Sequence, residues 1–213
     1  MKHARSSAEW EIRDALVAHL RVQMPKARVV HELVCGSNRA DVAAIEPDWI
    51  VLFEIKSERD VLARTAKQME TFRQAAHAAV LVAHIKWFDQ KPYANGSPRL
   101  AWPADREYGT DIWCYPEQES NSYPLTYRWR LPARSYTQPH ARLMLDMLHK
   151  AELIEECGRH RISTSARSTC HDMIEQMVWL MTGREICQAV CRQLRARHFP
   201  EADAAINYSA VPA

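Results

Sequence analysis

Asp41, Glu54 and Lys56 are the side chains whose types and spacing could do chemistry. Asp41 falls in Arg39 to Ile45, which reads as a strand. Glu54 and Lys56 close the next run, Trp49 to Lys56, which is apolar on both faces until Glu54, as a central strand would be. Glu46-Pro47-Asp48-Trp49 is a Pro-led turn between the two. Symmetric closure about Pro47-Asp48 sets Asp41 directly opposite Glu54, with Lys56 two residues on and on Glu54's face. A bulge would shift this pairing by one residue. Two carboxylates facing each other across a ladder repel, so a compensating cation is needed. Lys56 is one candidate and a divalent ion is the other. Carboxylate oxygens with water suit Mg²⁺ or Mn²⁺, ions normally shared with substrate phosphates.

The elements that must position these groups follow from periodicity. Ser6 with Glu9 forms a capping box, and Ile12, Leu16 and Leu20 recur at helical spacing, so a first helix covers about 7–24 and stops at Pro25. Arg28 to Cys35 reads as a strand, followed by the turn Gly36-Ser37-Asn38. Ser57 with Asp60 caps a helix over about 58–76, whose inner face includes Leu62, Ala66, Met69 and Phe72. Ala78 to Ala83 is a fourth strand, giving the order αβββαβ. Between 87 and 136, prolines near Trp and Tyr suggest loops around a hairpin of Thr110–Tyr115 and Leu125–Leu131. The tail is helical, with segments at 140–156, 169–181 and 183–198, the last opened by the capping box Thr182/Glu185.

Composition sets outer bounds. The 213 residues are 47% hydrophobic and 25% charged, with five Gly and eleven Pro, which excludes collagen-like, low-complexity and wholly disordered chains. No run approaches the roughly 18 apolar residues of a membrane span. Met1 to Asp14 has no apolar core, so no secretory leader is expected and the location is taken as cytoplasmic, in a bacterial or phage-infected cell. The formal charge of +2 says little about partners. Arg supplies 21 of the 28 basic residues, a bias that suits phosphate recognition but also follows from a GC-rich genome. Six Cys form no paired framework. Cys157, His160, Cys170 and His171 could be drawn as a zinc site, yet they lack any compact ligand spacing.

The order Asp41, then Glu54-Ile55-Lys56 on the following strand, resembles the PD-(D/E)xK nuclease superfamily. The Gln68-Met-Glu-Thr-Phe72 stretch is similar to the QxxxY element of its RecB-type branch, with Phe in place of Tyr. The block from Arg39 to Val82 also resembles small bacterial and phage proteins of that superfamily, in which a strand ending in EIKS leads into a helix. One departure is that Ala40-Asp41 stands where the pattern has Pro-Asp. The literal Pro47-Asp48 lies inside the turn and is better read as turn chemistry.

The resemblance implies an α/β fold with a restriction-endonuclease-like αβββαβ core around a mixed sheet. It covers about residues 5–131. The domains would be a nuclease-like unit at 1–135 (core about 5–85, hairpin extension about 105–131) and a helical C-terminal region at 136–213 that could contact nucleic acid. It also implies Mg²⁺- or Mn²⁺-dependent hydrolysis of DNA phosphodiester bonds, in repair, recombination or phage biology. Asp41, Glu54 and the Ile55 carbonyl would hold the ion, Lys56 would position or deprotonate water, and Gln68 would orient Lys56 or touch substrate.

Further assignments are looser. Glu32 could complete the metal shell or pair with Arg39, and Glu11 on the first helix could supply another acidic ligand or be a solvated first-turn residue. Arg39, Arg64, Arg184, Arg192 and Arg195 are candidate nucleic-acid contacts, the last three on a basic face of the final helix. The last two helices could form a helix-turn-helix. His19 and His31 read as packing residues. The partner would be DNA, with RNA left open, no membrane, and a homodimer as one way to cut both strands. The alternative is an inactive nucleic-acid-binding or protein-interaction module on the same scaffold.

Overall fold

The computed structural model describes residues 7–90, 94, 100–102, 111–117, 128–134 and 139–206. Ser6, the expected cap of the first helix, lies outside them, as do Thr110 and Leu125 to Tyr127 of the expected hairpin. A five-stranded mixed sheet runs in the order β1(Arg28–Cys35), β2(Asn38–Glu46), β3(Trp49–Lys56), β4(Ala78–His84), β5(Asp111–Tyr115). The first three strands are antiparallel, and β4 and β5 then add in parallel.

Both antiparallel connections are two-residue turns, because Cys35 pairs with Asn38 and Glu46 with Trp49. Gly36 carries φ +57, the left-handed conformation in which a Cβ is penalised, and it starts the first turn. The Pro47-Asp48 turn sets the expected register, with Val42 opposite Phe53 as the last ladder pair. The parallel step from β3 to β4 needs a crossover, which α2(Thr65–Ala75) supplies.

The sheet is the middle of three layers. On one face lies α1(Ser7–Gln23), whose Ile12, Leu16 and Leu20 pack with Val42, Val51 and Phe53. On the other, α2 lies beside the tail helices α3(Ala141–Leu145), α4(Lys150–Arg159), α5(Cys170–Leu180) and α6(Gly183–Ala196). One continuous core joins Ala43, Ile45 and Leu52 of the sheet to Ile186, Val190 and Leu194 of α6. A boundary near residue 135 therefore does not separate two cores; the tail is the outer layer of the sheet's second face.

Three local expectations are corrected. The second helix starts at Thr65, not 58, because Asp60 Oδ2 accepts from both the N–H and Oγ of Ser57 (2.7 and 2.6 Å) and closes a separate turn. Its buried face is Thr65, Met69, Phe72 and Ala75, and Ala66 is exposed. Residues 111–115 form a strand, but it pairs in parallel with β4, and the described residues 128–134 contain no strand. That segment is anchored instead by Trp129, which stacks on Trp113 and donates from Nε1 to the Cys114 carbonyl at 2.8 Å. The helix expected at 140–156 is broken into α3 and α4. Glu152 accepts from the His149 N–H at 2.6 Å and so starts α4 afresh.

Candidate active site

The β2–β3 ladder ends at Val42 and Phe53, and Asp41 lies one residue beyond. There its Oδ2 accepts the Ile55 N–H at 2.7 Å, replacing the carbonyl a continued ladder would offer. The β1–β2 pairing skips Glu32, which has φ +59, a backbone region that non-glycine residues seldom adopt. Val30 and Leu33 face the same core, as do Ala40 and Ala43, so both strands break strict alternation across Glu32 and Asp41. This irregularity places the Asp41 carboxylate at the fork between β2 and β3.

Glu54 is nearly enclosed, with 4% of its side chain exposed against 22% for Asp41. Its Oε1 accepts from Lys56 Nζ at 2.7 Å, while Oε2 is buried and has no hydrogen-bond partner. Gln68 approaches the same carboxylate from α2. Burial, followed by the neighbouring Glu54 charge, pushes the Asp41 carboxyl well above its usual range, against the pull of the Ile55 N–H, Arg13 and Lys56. Burial also raises Glu54, while Lys56 and Gln68 pull it back. Burial works to lower the Lys56 ammonium, but Glu54 and then Asp41 outweigh it and the net shift is upward. Lys56 is therefore a cation in the resting protein, and as such it orients groups and supplies charge. Asp41, Glu54, Lys56 and Gln68, drawn from two strands and a helix, come together just past the end of the β2–β3 ladder.

Two adjacent carboxylates, one with an orphaned buried oxygen, form an oxygen-donor pair that a divalent ion would complete. The residues fit the ion. Among the described residues no three His, Cys, Asp or Glu side chains converge as a ligand group. Cys157, which is buried, and Cys170, which is exposed, belong to no such group either. Ile55 is held to Asp41 through its N–H, with its side chain buried on the α1 face.

The other candidates fall elsewhere. Glu11 is exposed and accepts from the Tyr115 hydroxyl at 2.6 Å, tying α1 to β5. Glu32 pairs with Arg39 Nε at 2.5 Å and also meets Arg13. Arg39 and Arg64 are exposed, Arg64 one turn before Gln68 on α2. Arg184 is exposed at the start of α6. The basic face expected on α6 is not free: Arg195 is buried, donating to the carbonyls of Lys26 (2.9 Å) and Ile45 (2.6 Å). Arg192 is held by the buried Glu156 at 2.5 Å, and Arg197 pairs with Glu152. Eight residues of α6 are buried, and its exposed residues are confined to Gly183, Arg184 and Glu185 at its start. His31 is not a plain packing residue, since its Nδ1 lies 3.1 Å from Arg13.

Arg13 is the site residue that spacing did not single out. Fully buried on α1, it donates to the Asp41 carbonyl at 2.5 Å, to Glu9 Oε1 at 2.7 Å, and to Glu32 Oε1 and Asp41 Oδ1 at 3.4 Å. The one local signal was the Glu9/Arg13 pair, four apart on a helix.

The comparisons bear on the same half of the chain. A family model described as bacteriophage P4 protein cII matches residues 2–91. That stretch contains Asp41, Glu54, Lys56 and Gln68. No curated protein and no solved structure matches the chain. No helix among the described residues is long and apolar enough to cross a membrane.

Proposed function

We propose that this chain is a metal-dependent nuclease that hydrolyses DNA phosphodiester bonds, with a site of the PD-(D/E)xK kind on a restriction-endonuclease-like core. The observation that carries the reading is the convergence of Asp41, Glu54, Lys56 and Gln68 at the end of the β2–β3 ladder, with Glu54 Oε2 unpaired. Asp41 and Glu54 would hold Mg²⁺ or Mn²⁺, with the Ile55 carbonyl as a further ligand. Such an ion, when bound, lowers the pKa of water and neutralises charge on a phosphate. Lys56, kept protonated, orients the attacking water and stabilises the extra negative charge of the phosphorane. Gln68 fixes the Glu54–Lys56 pair from α2. The exposed Arg39, Arg59 and Arg64 supply positive charge for backbone phosphates, which position a duplex without reading sequence. The match to the phage P4 cII model supports a phage setting.

The test is plasmid and branched-DNA cleavage in Mg²⁺ or Mn²⁺. Wild-type protein should cleave, with activity down by about 10²-fold or more in Lys56→Ala and Glu54→Gln. Cleavage unchanged in either variant defeats the proposal. Metal-independent DNA binding with no cleavage would favour the inactive binding module.

A further inference from the structure

Asp41 is a strand residue that neither neighbouring strand pairs. The β1–β2 register steps from Leu33 opposite Ala40 to His31 opposite Val42, and the β2–β3 register stops at Val42 opposite Phe53. A peptide outside a ladder lacks the regular partners that would fix it, and this one carries a carboxylate of the site. Its side chain is held by β3, where Oδ2 accepts the Ile55 N–H at 2.7 Å. It is also held by α1: Arg13 Nη1 donates to the Asp41 carbonyl at 2.5 Å, and Arg13 Nη2 donates to Oδ1 at 3.4 Å. Main chain and side chain of the same residue are thus gripped by one rigid, planar guanidinium.

That guanidinium is itself locked in place. Arg13 is 0% exposed, and it donates to Glu9 Oε1 at 2.7 Å and to His31 Nδ1 at 3.1 Å. Glu32, at 3.4 Å, is tied in turn to Arg39. Two carboxylates besides Asp41 therefore balance the charge of Arg13, and their part is to hold it. A plain tether between α1 and the sheet could grip any strand carbonyl, but Arg13 grips the residue that both ladders leave out. Mg²⁺ demands near-ideal geometry of its oxygen ligands, with distances good to about 0.2 Å. We infer that Arg13 positions Asp41 for metal binding, fixing from α1 a carboxylate that the sheet alone leaves loose. The inference rests on the nuclease reading of the Asp41/Glu54 pair. Arg13 is a positioning residue in it: it acts through Asp41 and touches no reacting atom.

The experiment compares wild type with Arg13→Lys, which keeps the charge but cannot hold the Asp41 carbonyl and carboxylate together. Two quantities are measured on the full chain. One is Mn²⁺ affinity, from electron paramagnetic resonance of free Mn²⁺. The other is hydrogen exchange at the Ile55 amide, which reports whether Asp41 Oδ2 is in place. Arg13→Lys should bind Mn²⁺ about 10–100-fold more weakly, the usual cost of losing a group that orients a metal ligand. Its Ile55 amide should exchange faster while that of Leu52, in the middle of β3, is unchanged, a local loss that a merely structural tether would not produce. Arg13→Gln is the second variant. Removing a cation by itself would tighten Mn²⁺ binding, so weaker binding there marks lost position rather than lost charge. Unchanged Mn²⁺ affinity or an unchanged Ile55 amide in Arg13→Lys overturns the inference and leaves the nuclease reading standing, as does tighter binding by Arg13→Gln. No Mn²⁺ bound by wild type overturns the nuclease reading itself, and this inference with it.

Discussion

The side chains closest in chemistry to a second reactive group are two thiols on α6. Cys187 Sγ lies 3.9 Å from Cys191 Sγ and 3.3 Å from His77 Nε2. The Ile50 N–H donates to His77 Nδ1 at 3.1 Å, which puts the neutral ring's proton on Nε2, facing the sulfur. A hydrogen bond from Cys191, and a further one from His77, bring the Cys187 thiol down to about 6 against the opposing effect of burial. Cys191 moves the other way, so the pair gives up one proton rather than two. Because the folded value of Cys187 lies below the ordinary thiol value of about 8.5, its ionisation favours the fold above that value. That contribution is lost as pH falls through about 6. Titrating thiolate ultraviolet absorbance in the folded protein should show one step near pH 6 that disappears in Cys187→Ala and moves upward in His77→Phe. A step that survives Cys187→Ala would refute the assignment. Spacing of four on a helix announces a packing pair and nothing more. The imidazole that changes its chemistry comes from more than a hundred residues earlier, outside anything helical spacing can show.

At the scale of elements, the first two hairpins and the last two helices, expected at 169–181 and 183–198, were legible, whereas the hairpin expected at 110–131 and the single helix expected at 140–156 were not. The hairpin register follows from two-residue turns, a constraint local in sequence; it holds as far as Val42 opposite Phe53, and Asp41, expected opposite Glu54, lies past the end of the ladder and accepts the Ile55 N–H instead. Arg13 was not legible, because 28 residues separate it from the Asp41 it holds. The arginines of α6 misled for the same reason. Arginine in a helix reads as solvated until its partners are known, and here these are Glu156, Glu152 and main-chain carbonyls far away in sequence. Arg28 on β1 shows how strongly such contacts fix an element. Buried beside the end of α6, it donates from Nη1 to the carbonyls of Leu194, Arg195 and Arg197 at 2.9, 2.8 and 2.7 Å. These carbonyls lie in the last turn and just past the end, where a helix runs out of its own donors and where its dipole favours a cation. Arg28→Met keeps bulk but removes the donors, and should cost about 3 kcal/mol, the penalty of leaving buried acceptors unsatisfied. Urea denaturation measures the loss, and amide exchange should quicken in the last turn of α6 before the sheet is affected. A change within about 0.5 kcal/mol would mean that water replaces the guanidinium at no cost.

For the whole molecule, what matters is whether the helical tail is a passenger or a wall of the core. The α1 face of the sheet is closed by α1 and Trp129, but the opposite face depends on α2 and on α3 to α6 together. Ile45, Ile50 and Leu52 on the sheet, with Ile186, Val190 and Leu194 on α6, are all at most 2% exposed. Burying one such side chain contributes about 1.5–3 kcal/mol. Three or four of them thus match the roughly 5–15 kcal/mol by which a domain is stable at all. Arg195 adds a polar clamp, binding the carbonyls of Lys26, just before β1, and Ile45, which pairs with the start of β1. A chain ending at residue 135 would keep Asp41, Glu54, Lys56 and Gln68 but lose the layer behind them. Such a fragment should lack a cooperative thermal transition, bind an apolar dye, and show weakened near-ultraviolet circular dichroism, while the full chain melts in one step. Under the proposed function it should also lose cleavage, because the Glu54 face of β3 shares the core that the tail completes. A fragment that melted cooperatively and cleaved as the full chain does would show the tail to be an appended module.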